Sequence, residues 1–513
     1  MFISPDDART LSVSLFEAMA TLAHADAHFH SLQSAKAKAE SLITTTLLHA
    51  SQVAHSLCES ALARVEPFYD TSTESTVAVA VAADDSASCL CRSVVTSALE
   101  RACTVATALE YASKNCLVVS LPLSYVCGDE AMHAAIDAGD LGAISLAVAL
   151  LSQLSVSPSP QLLHSAMRNT SIESAVIARI ARVLLTLPVL TASANDADAD
   201  GNTTLMVASA YARNEAVAVL LACPQVAQFA DAVNRYGHTA LIFASGHAET
   251  VAALLECPTV IQSAAVVNQY GYTALMTASF HGCTEAVVAL LACPEVMQSA
   301  GAVNANGDTA LMLASTYGRR PTVTALLACP EVVQSACAVD KRGYTALMLA
   351  SVRGYSPTVT ALLVCSVVVQ SACAVDKRGY TALMLASERG HTETVAALLV
   401  CPNVVQSIGT VNENGDTALM LASTYGRTPT VMVLLACPEV VQSACAVDKR
   451  GYTALMLASV RGYSPTVTAL LVCSVVVQSA GTVNENGSTA LLIAQRNGNN
   501  ALIALLSSFD VVA

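Results

Sequence analysis

The chain has 513 residues, 54% hydrophobic, 12% charged and 4% aromatic, with no Trp and a mean hydropathy of +0.54. Ala, Val, Leu and Ser supply that apolarity, and so little Pro, Gly and charge excludes disorder over the bulk of the chain. The net charge of −14 is concentrated in residues 1–200, which carry 21 acidic and 10 basic side chains; neither half has a basic stripe to meet a phosphate backbone, so nucleic acid is not an expected partner.

At the N-terminus, Asp6 and Asp7 precede Arg9, the wrong order for a secretory signal, and the expected location is cytoplasmic. Residues 1–127 contain no Gly, and their only prolines are Pro5, Pro67 and Pro122. Leu15, Met19 and Leu22, then Ile43, Leu47, Ala50, Ala54 and Leu57, are spaced in threes and fours, which predicts helix from about Asp6 to Glu66. The polar stretch from Thr71 to Thr76 reads as a turn, and the helical pattern resumes from Val77 to Ser113. A helical hairpin of coiled-coil type or a compact bundle follows, either of which offers a route to self-association. His24 and His28 share a helical face near His30 without an evident third ligand, and Cys89-Ser-Cys91 has no second pair, so no metal site is expected. The 18 cysteines of a chain without a signal read as small buried hydrophobes.

Residues 128–200 hold two loosely periodic segments, Gly128-Asp-Glu-Ala-Met132-His133-Ala-Ala135 and Pro160-Gln-Leu-Leu163-His164-Ser-Ala166, each opening a helix-pair pattern. They read as divergent copies of a unit that is plain from residue 201 onward. There, Gly-x-Thr-(Ala/Thr)-Leu occurs nine times, with Gly at 201, 237, 271, 307, 343, 379, 415, 451 and 487. The spacing is 36 residues except for one step of 34. Self-similarity at such a period marks a solenoid. In the unit opening at Gly343, Leu347 and Ala350 share one helical face, Val359, Leu362 and Leu363 mark a second helix, and Gly354 lies between them. Thr345 sits where an N-cap belongs and Pro357 in the first turn of the second helix. Such a pair cannot bury its apolar face alone, so stability must come from neighbouring copies. An uncharged run from Tyr463 to Asn484 is interrupted by Pro465 and recurs from Tyr355, which argues against a membrane span.

The Asp/Asn-x-x-Gly-x-Thr entry, the Leu-x-x-Ala of the first helix, the Gly between helices and the Val-x-x-Leu-Leu of the second resemble the ankyrin repeat. The resemblance implies an all-α, helix-turn-helix solenoid over 201–513, with divergent repeats over 128–200 and a capping repeat opening at Gly487. Met276, Met312, Met348, Met384, Met420 and Met456 occupy the position where the family carries a histidine that ties repeats together. The units exceed the family period, with extra length after the second helix, as in Cys329 to Ser335, which predicts an enlarged outer loop. The unit opening at Gly237 lacks two residues after Ala244-Ser245, and its first helix should end early. Residues 307–372 and 415–480 differ at only three positions, Arg320/Thr428, Thr324/Met432 and Ala325/Val433, as a recent block duplication would leave them.

No phosphate loop, dinucleotide fingerprint, nucleophile elbow or His-Glu-x-x-His is present, so neither an enzyme nor a cofactor is expected. In proteins of this kind, partners dock on a concave face built from the loop tips and the exposed side of the first helices. That reading nominates Tyr236, Tyr270, Tyr272, Lys341, Arg342, Tyr344, Lys377, Arg378, Tyr380, Lys449, Arg450 and Tyr452, with Arg353, Arg389 and Arg461 nearby and Asp308 and Asp416 flanking. The expected function is a non-enzymatic interaction scaffold that binds other proteins, their acidic segments in particular. The alternative is an adaptor or regulatory subunit that docks through its N-terminal helices.

Overall fold

The computed structural model describes residues 129–154, 158–159 and 161–510, all of the ordered elements being helices. The helices expected over 1–127, with the His24 cluster and the Cys89 pair, lie outside the described residues. The chain divides into two compact units, Met1–Ala230 and Asp231–Ala513.

In the first unit, Asp129–Ala138 pairs with Leu141–Leu154, and Gln161–Arg168 with Ser174–Leu184, followed by the short helix Pro188–Ala192. The repeat opening at Gly201 then contributes Thr204–Ala210, Asn214–Leu221 and Pro224–Ala227. Met132, Ile136, Leu162, Leu163, Ile177, Leu184 and Leu190 are fully buried between these helices. The histidine missing from the later repeats survives here as a working tie. His164 is buried, and its Nε2 lies 3.0 Å from the carbonyl oxygen of Asn202 in the next repeat while its Nδ1 faces Thr204 Oγ1 at 3.4 Å.

The second unit repeats one local plan. In the copy opening at Gly343, the Thr345 hydroxyl accepts from the Met348 amide at 3.2 Å, satisfying a free N–H at the start of Ala346–Arg353. Gly354 ends that helix at φ +78°, a left-handed conformation that costs an L side chain about 1 kcal/mol or more. Pro357 lies in the first turn of Ser356–Leu362. Val359 and Leu362 of that helix are fully buried, contributing roughly 2 kcal/mol each in removed apolar surface.

Two expectations change at this level. The extra residues after the second helix do not form a loop; they form a third helix of one turn, as in Pro330–Gln334, Ser366–Gln370 and Pro402–Gln406. The cysteine that opens each turn is its N-terminal flanking residue, proline fills the first position in most copies, and the single buried valine, Val332 or Val404, docks it on the stack. The first helices also lack an exposed side. From Ala274–His281 to Ala454–Arg461 each packs against counterparts on both sides, so Leu347, Met348, Leu349, Ala350 and Ser351 are all buried and only Val352 and Arg353 reach solvent; the last, Ala490–Arg496, has a counterpart on one side and exposes Leu492, Gln495 and Arg496.

The unit opening at Gly237 has a first helix of five residues, Ala240–Ala244, against eight in Ala346–Arg353, as its deletion requires. The methionines stand where expected: Met312, Met348 and Met384 are 1% exposed, and packing replaces the histidine tie.

Candidate functional site

Between the third helix of one repeat and the first helix of the next, the chain makes a tight tip. In the Gly343 copy, Asp340 Oδ1 accepts from the amides of Arg342 and Tyr344, both at 2.8 Å, and Gly343 takes φ +86°. A Cβ on Gly343 would lie 2.9 Å from the Lys377 amide nitrogen, so glycine is what lets consecutive tips touch. They touch through backbone hydrogen bonds. The amides of Gln269, Ala305, Lys341, Lys377, Glu413, Lys449 and Glu485 donate to the carbonyls of Tyr236, Tyr270, Asn306, Arg342, Arg378, Asn414 and Arg450, at 2.9–3.2 Å. The side chains of Lys341, Arg342, Lys377, Arg378, Lys449 and Arg450 are therefore exposed on a continuous, hydrogen-bonded backbone row.

The three Lys-Arg-Gly-Tyr tips share one internal arrangement. Asp340, Asp376 and Asp448 are buried beneath them, with side chains 2–3% exposed. Arg342 reaches back to Asp340 Oδ2, 3.0 Å from Nε and 2.9 Å from Nη2; Arg378 and Arg450 approach their aspartates at 3.8 and 3.7 Å. Each guanidinium also lies over the tyrosine of its own tip, 4.7, 4.8 and 5.1 Å from the ring centres of Tyr344, Tyr380 and Tyr452. Arg378 Nη2 further contacts the Tyr344 hydroxyl of the preceding tip at 3.5 Å. Burial, then Glu388, pushes the Tyr380 hydroxyl above its ordinary pKa, against the Asn412 side chain, which lowers it. No ion pair of Lys341, Lys377 or Lys449 occurs among the described residues. Of the two cations in each tip, the arginine is committed to its own aspartate and tyrosine, and the lysine is free.

The tips opening at Gly307 and Gly415 are built differently. Asn304 and Asn412 replace the aspartate; their Oδ1 accepts the same pair of turn amides, and their Nδ2 donates to Asp308 and Asp416 at 3.2 Å. Nothing positive balances Glu413 and Asp416 within their tip. Tyr236 and Tyr270 are exposed, whereas Tyr272 is half-buried, and burial followed by Asp308 raises its pKa. All twelve nominated side chains thus lie on the tip row, whereas Arg353, Arg389 and Arg461 lie in the last turn of the first helices, at the end away from the tips. The Asp–Arg pairing was missed, although a signal existed: Asp precedes every Lys-Arg tip, and Asn precedes the tips opening at Gly237, Gly271, Gly307, Gly415 and Gly487.

Elsewhere the chemistry is structural. A shallow open depression in the first unit is lined by His133, Asp137, His164, Ser165 and Arg168, but Ser165 Oγ lies 2.8 Å from His133 Nδ1 and Arg168 is paired with Asp198. Cys293, Cys329 and Cys437 donate to the glutamate two residues on at 3.1–3.2 Å, and burial, reinforced by that acceptor, raises their thiol pKa. Among the described residues, no group of His, Cys, Asp or Glu could hold a metal ion, and no helix is long and apolar enough to cross a membrane.

A family model for ankyrin repeats, three copies long, matches in overlapping windows from residue 175 to residue 479. No curated protein matches the chain. Among solved structures, the crystal structure of the ankyrin repeat domain of Bcl-3, described as a unique member of the IkappaB protein family, is similar at 26% identity. The match covers 46% of this chain and 99% of that one, with a TM-score of 0.39. Ankyrin repeats are in general protein–protein interaction modules. With matching windows over more than half of its length and the repeated three-helix plan described above, this chain belongs to the ankyrin repeat family.

Proposed function

We propose that the protein is a non-enzymatic scaffold whose tip row binds segments of other proteins that carry acidic side chains. The site is centred on Lys341, Arg342, Tyr344, Lys377, Arg378 and Tyr380, with Lys449, Arg450 and Tyr452 as an outlying copy. One observation supports it most: exposed lysines without a partner among the described residues stand on a row whose backbone is already hydrogen-bonded from tip to tip, so binding need not order the backbone first. Arginine, exposed, and tyrosine, half-buried, form a stacked pair in the same tip as each lysine.

The test reverses the lysines only, in Lys341→Glu/Lys377→Glu. Reversing Arg342 or Arg378 would set a carboxylate against buried Asp340 or Asp376 and confound folding with binding. Loss of captured acidic partners, with an unchanged circular dichroism spectrum, is the expected result. Full retention of those partners would refute the site.

A further inference from the structure

The tip row carries an ordered sequence of unbalanced charges. Arg342, Arg378 and Arg450 are each balanced by a buried aspartate, so each of these tips presents one net positive charge, at Lys341, Lys377 and Lys449. The tip between the second and third of them is negative, through Glu413 and Asp416. From Gly343 to Gly451 the row therefore reads plus, plus, minus, plus. Although a count of lysines and arginines gives a basic patch, this row is close to neutral and patterned.

Resting on the protein-binding reading above, we infer that the row recognises the charge order of one extended segment in polyproline II conformation, with acidic residues at positions i, i+3 and i+9 and a basic residue at i+6. Consecutive tips belong to helices packed side by side, which sets equivalent positions roughly 8–10 Å apart. Polyproline II has three residues per turn and rises about 3.1 Å per residue, so every third side chain returns to one edge after about 9 Å. An extended β-strand alternates faces with a period of two and falls out of step. An α-helix advances about 10.5 Å in seven residues, but drifts about 20° per heptad, leaving the fourth side chain about 60° off the row. Tyr344, Tyr380 and Tyr452, each with an arginine stacked on one ring face, give every Lys-Arg tip an aromatic side chain of the kind proline-rich segments dock against. A polyproline II segment also needs no backbone partner, and the tip amides have none to offer: Lys341 donates to the Asn306 carbonyl, Gly343 to the Asp340 carbonyl, and Arg342 and Tyr344 to Asp340 Oδ1.

The experiment uses the full chain and labelled synthetic peptides, read by fluorescence anisotropy at low salt. The matched peptide is Glu-Pro-Pro-Glu-Pro-Pro-Lys-Pro-Pro-Glu. A second has Glu in place of the Lys, and a third keeps the matched order but spaces the charges by four residues. The matched peptide should bind about tenfold tighter than the all-Glu peptide, despite its smaller negative charge, and tighter than the four-spaced one. The variant Glu413→Lys/Asp416→Ser should reverse the first preference. If the all-Glu peptide binds wild type as well as the matched one, yet loses affinity in Lys341→Glu/Lys377→Glu, the ordered recognition is overturned and the acidic-segment reading stands. Equal binding of the three- and four-spaced peptides overturns the conformation. Absence of binding by every peptide, with the lysine reversals changing nothing in the capture experiment, overturns both.

Discussion

Asp340 performs two tasks that substitution can separate. Its Oδ1 accepts the amides of Arg342 and Tyr344, and its Oδ2 holds the Arg342 guanidinium. In Asp340→Asn the amide oxygen still accepts both turn amides, as Asn304 and Asn412 do in sister tips. What is lost is a surface ion pair whose arginine side chain is 67% exposed, which is worth below about 1 kcal/mol after solvent screening. In Asp340→Ala both acceptors vanish beneath a tip with no room for rearrangement, because the Gly343 backbone lies against Asp376 and Lys377. Two half-buried amides without their acceptor cost about 2 kcal/mol in total. Hydrogen exchange at Arg342 and Tyr344 and urea unfolding of the full chain read the difference: the Ala variant should show faster exchange and a lower midpoint, with the Asn variant close to wild type. Asp340→Asn also frees a positive charge, and should tighten binding of the all-Glu peptide about twofold. Equal destabilisation by Asn and Ala would refute the division of labour, since it would make the ion pair rather than the turn acceptor the source of tip stability. An Ala variant indistinguishable from wild type would refute the role of the acceptor itself.

Three further outcomes follow from geometry. In the repeat opening at Gly201, Ala212 takes the left-handed conformation, φ 55°, that glycine takes in sister repeats, so Ala212→Gly should stabilise the first unit by about 1 kcal/mol, measured as a raised thermal midpoint. His238 accepts from Asn268 Nδ2 at Nε2, its Nδ1 is buried without a partner, and burial lowers its pKa. Because the folded value is the lower one, its neutral form favours folding above the ordinary histidine pKa of 6.5, and that contribution is lost as pH falls from 6.5 through the folded value. Wild type should lose stability over that window relative to His238→Tyr, the residue at this position in the Gly271 and Gly343 copies, as read by unfolding midpoints at stepped pH. Among the described cysteines, site-resolved alkylation should label exposed Cys337, Cys373 and Cys445 first, with Cys293 and Cys329 slow because burial both shields their thiols and raises their pKa.

The parts of this fold written in spacing were legible from residues alone. Thr345 as N-cap, Gly354 as terminator, Pro357 in the second helix and the shortened helix after Thr239 all follow from one-dimensional signals, and the structure has each of them. The third helix was not legible because one turn carrying one buried valine has no period to detect; Pro330 could equally open a loop. The burial of the first helix on all sides escaped for another reason. Leu347 and Ala350 define one face, but Met348, Leu349 and Ser351 are covered by the neighbouring copies, and a periodicity argument made within one repeat does not see those neighbours.

The candidate site shows the same divide in its electrostatics. Lys341 and Arg342 are adjacent, equally charged and both exposed, so the sequence counts them alike. The turn separates them: the aspartate that accepts the Arg342 amide also lies within reach of its guanidinium, two residues along the same tight bend, while Lys341 is exposed with no such partner among the described residues. The tip that exposes a lysine also neutralises its neighbour, and it does so in all three Lys-Arg tips, each opened by an aspartate. Asp beneath a Lys-Arg tip thereby leaves it one net positive charge where Asn would leave two. A row of tips linked by backbone hydrogen bonds turns the tip charges into a fixed spatial order. Repetition supplies the spacing, the exposed residues of each tip supply the sign, and the buried aspartate trims each Lys-Arg tip to a single positive charge.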